Sequence, residues 1–543
     1  MSLLPIVIRE LGLASRRPAT YRIRFWIALV TVVIALAMLV SRGRSTAQLG
    51  HEIFSVLSVL VFAYALLSGV RCTADSLSEE KREGTLGLLF LTTLRGYDVV
   101  VGKLVVSSLE AAYGLVSTLP ILAVPVLLGA VTGSEFWRMN LLLLNTLLFS
   151  LALGLLVSTF GHQERGVLLG TLWAVLLMTF GFPLLWKGAT HLADSRLLDW
   201  LFLFPSPAYA FKMVSDSTIR SASWEYWLSM LSMAVLALGA ILFSSLMLPR
   251  LFQEKGRLQQ NGCWRARLHR WRFGDPQFRR FLDADQIEQQ PFYWLLSRDR
   301  LPGFWLGPLV VVTVLFALWA PSAFHTPNTP ATPIAMFGAL GLHLLCKLLV
   351  AAEASRRLHM DKRSGALELL LSTPLSVASA LAGQMRSLQK RFVLPFLALA
   401  MVNWLILLEV TSRRDDFPGL LSGMLIAPLD FYALSWLGML TGLREPRYTR
   451  AVFRTFGAVM VPPWIVIFLF VFANSHRGIS SSAVHAFFFY WFLFAAVYEL
   501  VLAHWAKTQL LTRFRLLAAN DLRPPRLLKA RLERPQPRPM LHV

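Results

Sequence analysis

Cysteine and charged residues are both scarce in this sequence of 543 residues. The three cysteines are Cys72, Cys263 and Cys346, and no two of them have the spacing of a redox pair or a zinc site. Their number and placement also exclude a small exported domain held together by disulfides. Charged residues make up only 15% of the chain, which is too few for a soluble domain of ordinary composition.

Acidic residues are outnumbered by basic ones, with 31 Asp and Glu against 53 Lys and Arg, so the net charge is +22. A nucleic-acid-binding protein would concentrate this charge in one region, whereas here it is spread over many segments between apolar runs. At such positions Lys and Arg face anionic lipid, which attracts each of them by roughly 1 kcal/mol. We therefore predict contact with membrane lipid and no nucleic-acid partner.

Apolar residues are abundant, at 55% of the chain, and the mean hydropathy is +0.56. Apolar runs recur at about the 20 residues that a helix needs to cross a bilayer. The sequence therefore predicts an all-α polytopic membrane protein with twelve transmembrane helices. The predicted spans lie near 25–41, 53–72, 104–131, 139–160, 166–187, 225–248, 303–320, 333–352, 392–410, 417–443, 452–473 and 483–506.

The basic residues predict the orientation of these spans. With the N-terminus in the cytoplasm, the inner segments hold 40 of the 53 Lys and Arg. Such a bias towards the inner side is the rule in membrane proteins, and it predicts that both termini are cytoplasmic. The predicted organisation is a first six-span unit at 1–248, a basic cytoplasmic linker at 249–300, a second six-span unit at 301–506 and a basic, Pro-rich cytoplasmic tail at 507–543.

One charged segment occurs twice on the predicted cytoplasmic side, and a single constant offset, the one from Gly84 to Gly365, aligns the copies without a gap. Its landmarks in the first copy are Glu79, Glu80, Glu83, Gly84, Thr85, Leu86 and Leu89, followed by Gly102 and Lys103. Its landmarks in the second copy are Asp361, Gly365, Leu367, Leu370 and Pro374, followed by Gly383. We interpret the chain as two parallel six-helix repeats, for which a pathway is expected at the junction of the halves.

Local chemistry predicts how this segment folds. Ser76 and Glu79 have the spacing of a capping box that begins a helix, and the charged run 79–83 is expected to lie in water. Gly84 permits a turn, after which leucines at helical spacing form one apolar face. Such a short helix on the inner surface can transmit a push from a soluble partner to the spans, while Gly102 and Gly383 allow close packing or a bend.

The pattern acidic-x-x-[Glu/Ser]-Gly-[Thr/Ala]-Leu-x-x-Leu-Leu, then Thr-[Thr/Pro]-Leu and Gly-Lys, resembles the type-2 permease family of ATP-binding-cassette (ABC) transporters. The resemblance covers both six-span halves in layout and about 25 positions per half in residues. It implies that loops 76–95 and 357–376 dock a cytosolic ATPase and that the chain is the permease subunit of an exporter in the plasma membrane, the inner membrane of a bacterium. The second copy departs from the pattern at Ser364, Ala366 and Gln384, so its docking is expected to be weaker.

The chain itself lacks a recognisable nucleotide site. Gly96 to Lys103 superficially resembles a phosphate loop, but five residues separate Gly96 from Gly102 where four are required, and Leu104 replaces the hydroxyl residue that would hold magnesium. No catalytic triad, paired carboxylates or metal-ligand cluster is recognisable either. We predict that the chain is not an enzyme and binds no cofactor, with ATP and Mg bound by the partner subunit.

Charges inside the predicted spans are the remaining candidates. Glu110, Asp430 and Glu499 are acidic, whereas His343 and Lys347 read most simply as structural or interfacial. For Glu110 and Asp430, contact with substrate and pairing with another helix are equally open. If these carboxyls rather than the loops carried energy coupling, the chain would be an ion-coupled secondary transporter with twelve spans. A membrane scaffold for a cytosolic complex is a third alternative.

Overall fold

The structure is a computed structural model. It describes residues 18–39, 46–74, 76–84, 95–161, 163–183, 199–253, 291–297, 331–374, 376–410, 417–474 and 481–519, and the single positions 86, 91, 186, 311 and 313. Within these ranges every regular element is a helix, which confirms the prediction of an all-α protein for the described residues. The chain divides into two compact units, Met1–Cys263 with Phe468–Gly478 and Trp264–Ile467 with Ile479–Val543.

The first half of the chain contains ten α-helices in the described residues. They are α1 (Pro18–Leu39), α2 (Thr46–Cys72), α3 (Ser76–Glu83), α4 (Gly96–Val116), α5 (Leu119–Leu122), α6 (Val124–Leu127), α7 (Gly133–Phe160), α8 (Glu164–Leu176), α9 (Pro207–Met213) and α10 (Asp216–Gln253). Two π-helical turns, Leu177–Gly181 and Asp199–Leu203, also belong to this half.

The second half contains seven helices in the described residues. They are α11 (Pro291–Ser297), α12 (Ala331–Arg363), α13 (Ala366–Ser372), α14 (Val377–Val410), α15 (Phe417–Arg444), α16 (Tyr448–Asn474) and α17 (Ser481–Ala519). Most of the predicted linker 249–300, and the tail beyond residue 519, lie outside the described residues, so these two assignments stay predictions.

Nine stretches of the described residues are long and apolar enough to cross a membrane, which indicates a multi-pass integral membrane protein. They are Gln48–Arg82, Gly96–Leu127, Gly133–Phe160, Glu164–Gly181, Ser223–Arg250, Val377–Leu407, Leu421–Arg444, Tyr448–Ile467 and His485–Ala518. Predicted spans 25–41 and 333–352 fall largely within α1 and α12 but are not among the nine, and span 303–320 lies almost entirely outside the described residues. The count of twelve therefore stays a prediction.

Helix α7 is the centre of the first unit, because α2, α4, α8 and α10 all pack against it. Small residues allow the closest of these approaches: a Cβ atom added at Gly69 of α2 would collide with the Ser150 carbonyl, and one at Gly154 with the Thr73 hydroxyl. Close approach at small residues is typical of helices in lipid, where the hydrophobic effect gives little association between helices.

Helix α15 is the central helix of the second unit, and its main neighbours are α12 and α17. Here a Cβ atom added at Gly438 would lie 2.6 Å from the Ala354 Cβ, and one at Gly442 would collide with the Ser355 carbonyl. Thr73 and Ala354 are separated by the offset that relates the two copies of the charged segment. The chain at Thr73 packs closely on α7 and the chain at Ala354 packs closely on α15, so corresponding positions of the two copies make close contacts.

Candidate functional site

The candidate site of the first unit is helix α3, the charged segment of the first copy. The helix lies where the sequence predicts it, although the Ser76 hydroxyl donates to the Thr73 carbonyl at 2.9 Å instead of capping the helix. The backbone N–H groups of Leu77 and Ser78 donate to the Ser158 hydroxyl at 3.1 and 3.0 Å. These bonds fix the start of α3 to the C-terminal end of α7.

The Lys81 ammonium group donates to the carbonyl of Thr159, again at the end of α7. A helix ends with carbonyl groups that have no partner within the helix and carry partial negative charge, so a lysine placed there stabilises the helix end. Helix α3 is therefore held to α7 at both its first and its last turn.

Two ion pairs join α3 to two further helices. Glu80 pairs with Lys103 of α4 at 2.8 Å, and Arg82 pairs with Glu164 of α8 at 3.0 Å. The side chains of Glu80 and Arg82 are only 14% and 21% exposed. The prediction that the charged run faces water is therefore wrong for these two residues, because each has an opposite charge on a neighbouring helix that lies far away in sequence.

The second copy makes the corresponding contacts from the last turns of α12. The Lys362 ammonium group donates to the Leu443 carbonyl at 2.9 Å, and His359 Nδ1 lies 3.2 Å from the Gly442 carbonyl oxygen. Lys81 and Lys362 occupy equivalent positions of the two copies, and each bonds a carbonyl group near the end of the helix packed against its segment. In the second copy the charged segment continues α12, whereas in the first it is a separate helix.

A left-handed glycine ends the charged helix in both copies. Gly84 and Gly365 have a φ of +74°, and among the described residues only Gly129 shares a positive φ. Non-glycine residues rarely adopt this conformation because their Cβ atom approaches the backbone too closely. No atom of the described residues lies within 4 Å of a Cβ added at either position, so the requirement for glycine comes from the backbone alone.

A short second helix follows the glycine in the second copy. It is α13, in which Leu367 is buried, Leu370 is half-buried, and the last residue precedes an extended Thr373 and an exposed Pro374. An extended Thr373 is the conformation that a following proline favours, so Pro374 accounts for the end of α13. In the first copy Leu86 is buried, while Thr85, Leu89 and the side chain of Glu83 lie outside the described residues.

The two copies differ in how the acidic residue before the glycine is held. Asp361, the equivalent of Glu80, pairs at 2.9 Å with Arg357 of its own helix instead of with the next span. Burial raises the pKa of the Asp361 carboxyl, and the Arg357 guanidinium opposes that rise. Gln384, in place of Lys103, is buried and donates to the Ala354 carbonyl at 3.3 Å. Within the described residues, therefore, only the first copy has an ion pair between its acidic residue and the following helix.

Gly102 and Gly383 both lie inside uninterrupted helices, α4 and α14, and both are buried. A Cβ atom added at Gly383 would lie 2.9 Å from the Tyr293 backbone nitrogen. Close approach of α14 to α11 accounts for this glycine, and its role as a hinge stays a prediction, as does that of Gly102.

Each intramembrane carboxyl of the sequence analysis has a charged partner or a carboxyl neighbour. Glu110 of α4 lies 3.3 Å from Arg71 of α2. Its equivalent, Arg391 of α14, is ion-paired with Glu353 of α12. The same two helices of each half are therefore joined by an ion pair, with the signs exchanged. Asp430 pairs with Lys347, and its carboxyl group lies close to that of Glu499.

Sequence reasoning missed the roles of Lys81, Lys362 and Ser158. The available signal was the constant offset between the copies, which places a lysine at the same position of both. The acceptors of Lys81 and Lys362 could not be found in this way, because they are backbone carbonyl groups, which every residue type carries.

Replacement of Lys81 by methionine should lower the free energy of unfolding by about 0.3–2 kcal/mol, the usual range for a cation at a helix C-terminus. Lys81→Arg should retain most of the stability, since it keeps the charge. Thermal unfolding of the purified protein in detergent measures both variants. Equal stability of Lys81→Met and the wild type would contradict a stabilising role for the bond to Thr159.

Among the described residues there is no group of three or more His, Cys, Asp or Glu side chains that could hold a metal ion. No known family model matches the sequence, and no curated protein matches it.

Proposed function

We propose that this chain is the membrane-spanning permease subunit of an ABC transporter, an exporter powered by a separate cytosolic ATPase. The observation that carries the proposal is the recurrence of one arrangement in both halves: a charged helix ends at a left-handed glycine and is bonded through an equivalent lysine to the end of a membrane helix. The proposed layout is twelve spans in two parallel repeats, in the plasma membrane and with both termini in the cytoplasm.

The contacts of α3 support a role in force transmission. Through Ser158, Lys103 and Glu164, α3 is bonded to α7, α4 and α8. A partner that displaces α3 would move the ends of these three helices together, since the ion pairs are largely shielded from water and are therefore weakly screened. This is the behaviour required of a helix that couples a soluble ATPase to a membrane domain.

The partner would contact the loops at 76–95 and 357–376, and the basic segments would contact membrane lipid. In this proposal the docking residues of the first copy are Glu79, Glu80, Glu83, Gly84, Thr85, Leu86 and Leu89. Those of the second copy are Asp361, Gly365, Leu367, Leu370 and Pro374. ATP and Mg belong to the partner, because the sequence has no phosphate loop with the required spacing.

Co-purification from native membranes tests the proposal directly. The tagged chain should bring down a soluble ATPase, and the complex should hydrolyse ATP. A chain that is purified intact under mild conditions, transports its substrate in vesicles and has no associated ATPase would refute the proposal.

Charge reversal at Glu80 allows its effect on ATPase docking to be measured separately from its effect on the stability of the protein. Glu80→Lys should weaken ATPase association and, by breaking the pair with Lys103, lower stability by about 0.5–3 kcal/mol. The double variant Glu80→Lys/Lys103→Glu restores an ion pair but leaves a positive charge at position 80. We expect it to recover stability without recovering association, as measured by unfolding and by pull-down at fixed salt.

The matched control is the exchange Asp361→Arg/Arg357→Asp, which inverts the ion pair at the equivalent position of the second copy. Because Asp361 is paired within its own helix and not with the next span, the control should reduce association less. Charge reversal at Glu79, Glu80 and Glu83 should likewise have a larger effect than reversal at Asp361 and Glu368. Equal losses of ATPase association would mean that both loops dock equally. Full recovery of association in the variant that exchanges Glu80 and Lys103 would mean that Glu80 has only a structural role.

An ion-coupled secondary transporter is the second candidate function. One observation favours it, the buried cluster of Lys347, Asp430 and Glu499 in the second unit. In vesicles supplied with ATP and treated with a protonophore, the ABC proposal requires that transport continues. Transport that stops with the gradient and persists without an ATPase subunit would establish the alternative.

A further inference from the structure

A buried cluster of opposite charges lies on three helices of the second unit. Helix α15 packs against α12 on one side and α17 on another, and it carries Asp430, which is 1% exposed. Lys347 of α12 is ion-paired with Asp430. Glu499 of α17 is 2% exposed, and its carboxyl group is within hydrogen-bonding reach of the Asp430 carboxyl.

The neighbouring polar groups do not neutralise this cluster. His343 lies one turn before Lys347 on α12, and its Nε2 accepts a hydrogen bond of 2.6 Å from the Asn403 amide group of α14. An accepting Nε2 is unprotonated, so this bond describes a neutral ring. Tyr498 of α17 donates its hydroxyl to the Ala458 carbonyl of α16 at 2.7 Å. The remaining charges are one ammonium and two carboxyl groups.

The charge balance of the cluster requires a proton. With both carboxyls ionised the cluster has a net charge of −1, which is unfavourable inside a membrane protein. Two carboxylates cannot hydrogen-bond to each other, because neither has a donor, and among the described residues no donor reaches Glu499 Oε2. A single proton removes both difficulties, since it supplies the donor and makes the cluster neutral.

We propose that Asp430 and Glu499 form a binding site for one exchangeable proton, held beside Lys347 in the second half of the chain. The bound proton bridges α15 and α17, and its release leaves two like charges facing each other across that helix contact. Proton occupancy therefore controls how tightly α17 packs on α15. The constant offset between the copies pairs Lys347 with Leu66, so the first half has no equivalent cation there.

This proposal is independent of the ABC proposal, because it needs neither ATP nor a partner. The cluster also differs in charge balance from the ion pair of the first unit. There Arg71 and Glu110 balance each other one to one, whereas the second unit has two carboxyls for one lysine.

Infrared spectroscopy of the purified protein in lipid tests the site. Near neutral pH the wild type should have the C=O stretching band of a protonated carboxylic acid, which shifts in D₂O and disappears at alkaline pH. Glu499→Gln should lack this band. Glu110→Gln, which removes a carboxyl paired with arginine, should keep it and serves as the matched control.

Asp430→Asn is the second variant, because a shared proton requires both carboxyls, and it should also lose the band. Each variant is examined only as a monodisperse preparation, so that unfolding is not mistaken for loss of the site. Absence of the band from the wild type at neutral pH would overturn the proposal. A band that survives in both variants, or one that neither alkaline pH nor D₂O changes, would overturn it too.

Discussion

Replacing Gly84 with proline should uncouple ATP hydrolysis from transport, with a nearly complete loss of transport and retained insertion in the membrane. Gly84 has a φ of +74°, whereas the proline ring restricts φ to negative values, so the chain cannot leave α3 in its present direction. Outside the neighbouring residues, no described atom lies within 4 Å of the added Cβ position, so the expected effect comes from the backbone conformation and not from a clash of this Cβ with another helix. Transport by vesicles and ATPase activity of the reconstituted complex are the two measurements.

Gly84→Asn is the matched control, since asparagine adopts the left-handed conformation more readily than other non-glycine residues. It should keep most of the transport, while Gly84→Val should resemble the proline variant. Gly365→Pro makes the equivalent change in the second copy and should have the smaller effect if the first loop is the stronger dock. Unchanged transport in Gly84→Pro would count heavily against docking at this loop.

Replacing Lys347 with methionine should lower the free energy of unfolding by about 3–5 kcal/mol, the usual loss when one partner of a buried ion pair is removed. Asp430 and Glu499 would then be two buried carboxyls without a cation. Chemical unfolding of the purified protein in detergent measures the loss. The loss should be smaller at acidic pH, where both carboxyls can bind a proton.

The double variant Lys347→Met/Asp430→Asn removes both charges of the pair and should recover much of the stability. The matched control is Arg454→Met, which breaks the pair with Glu445 at a position where the arginine side chain is 67% exposed. An exposed pair contributes about 0–1 kcal/mol. Similar losses in Lys347→Met and Arg454→Met would mean that the Lys347 pair is not held away from water.

Sequence patterns were most informative where the physical cause is local. The positions of α3 and of the glycine after it were predicted, because the charged run and the glycine impose their conformation on their own neighbours. The end of α13 before Pro374 has the same kind of local cause, since proline restricts the residue that precedes it. The constant offset between the copies aligned Gly84 with Gly365, and the structure shows that both adopt the left-handed conformation.

Patterns were least informative where a charge acts at a distance. Glu80 was expected in water, yet its partner Lys103 lies on the next helix, and the partner of Arg82 lies on α8. For Glu110, contact with substrate and pairing with another helix were equally open interpretations, because no pattern in the sequence shows that Arg71 lies opposite Glu110. Neighbours in space are set by how helices rotate and cross, which no short pattern encodes.

By itself the sequence determined the helical class, the apolar stretches, the doubled segment and the need for glycine at two positions, since hydropathy, residue spacing and backbone sterics act within a few turns of chain. Only the tertiary structure decided which charges meet. It joined α3 to three helices, paired Glu110 with Arg71 and Arg391 with Glu353, and placed two carboxyls against one lysine in the second unit. Those pairings depend on the packing of whole helices, where small residues allow close approach and the cost of an unpaired buried charge selects its partner.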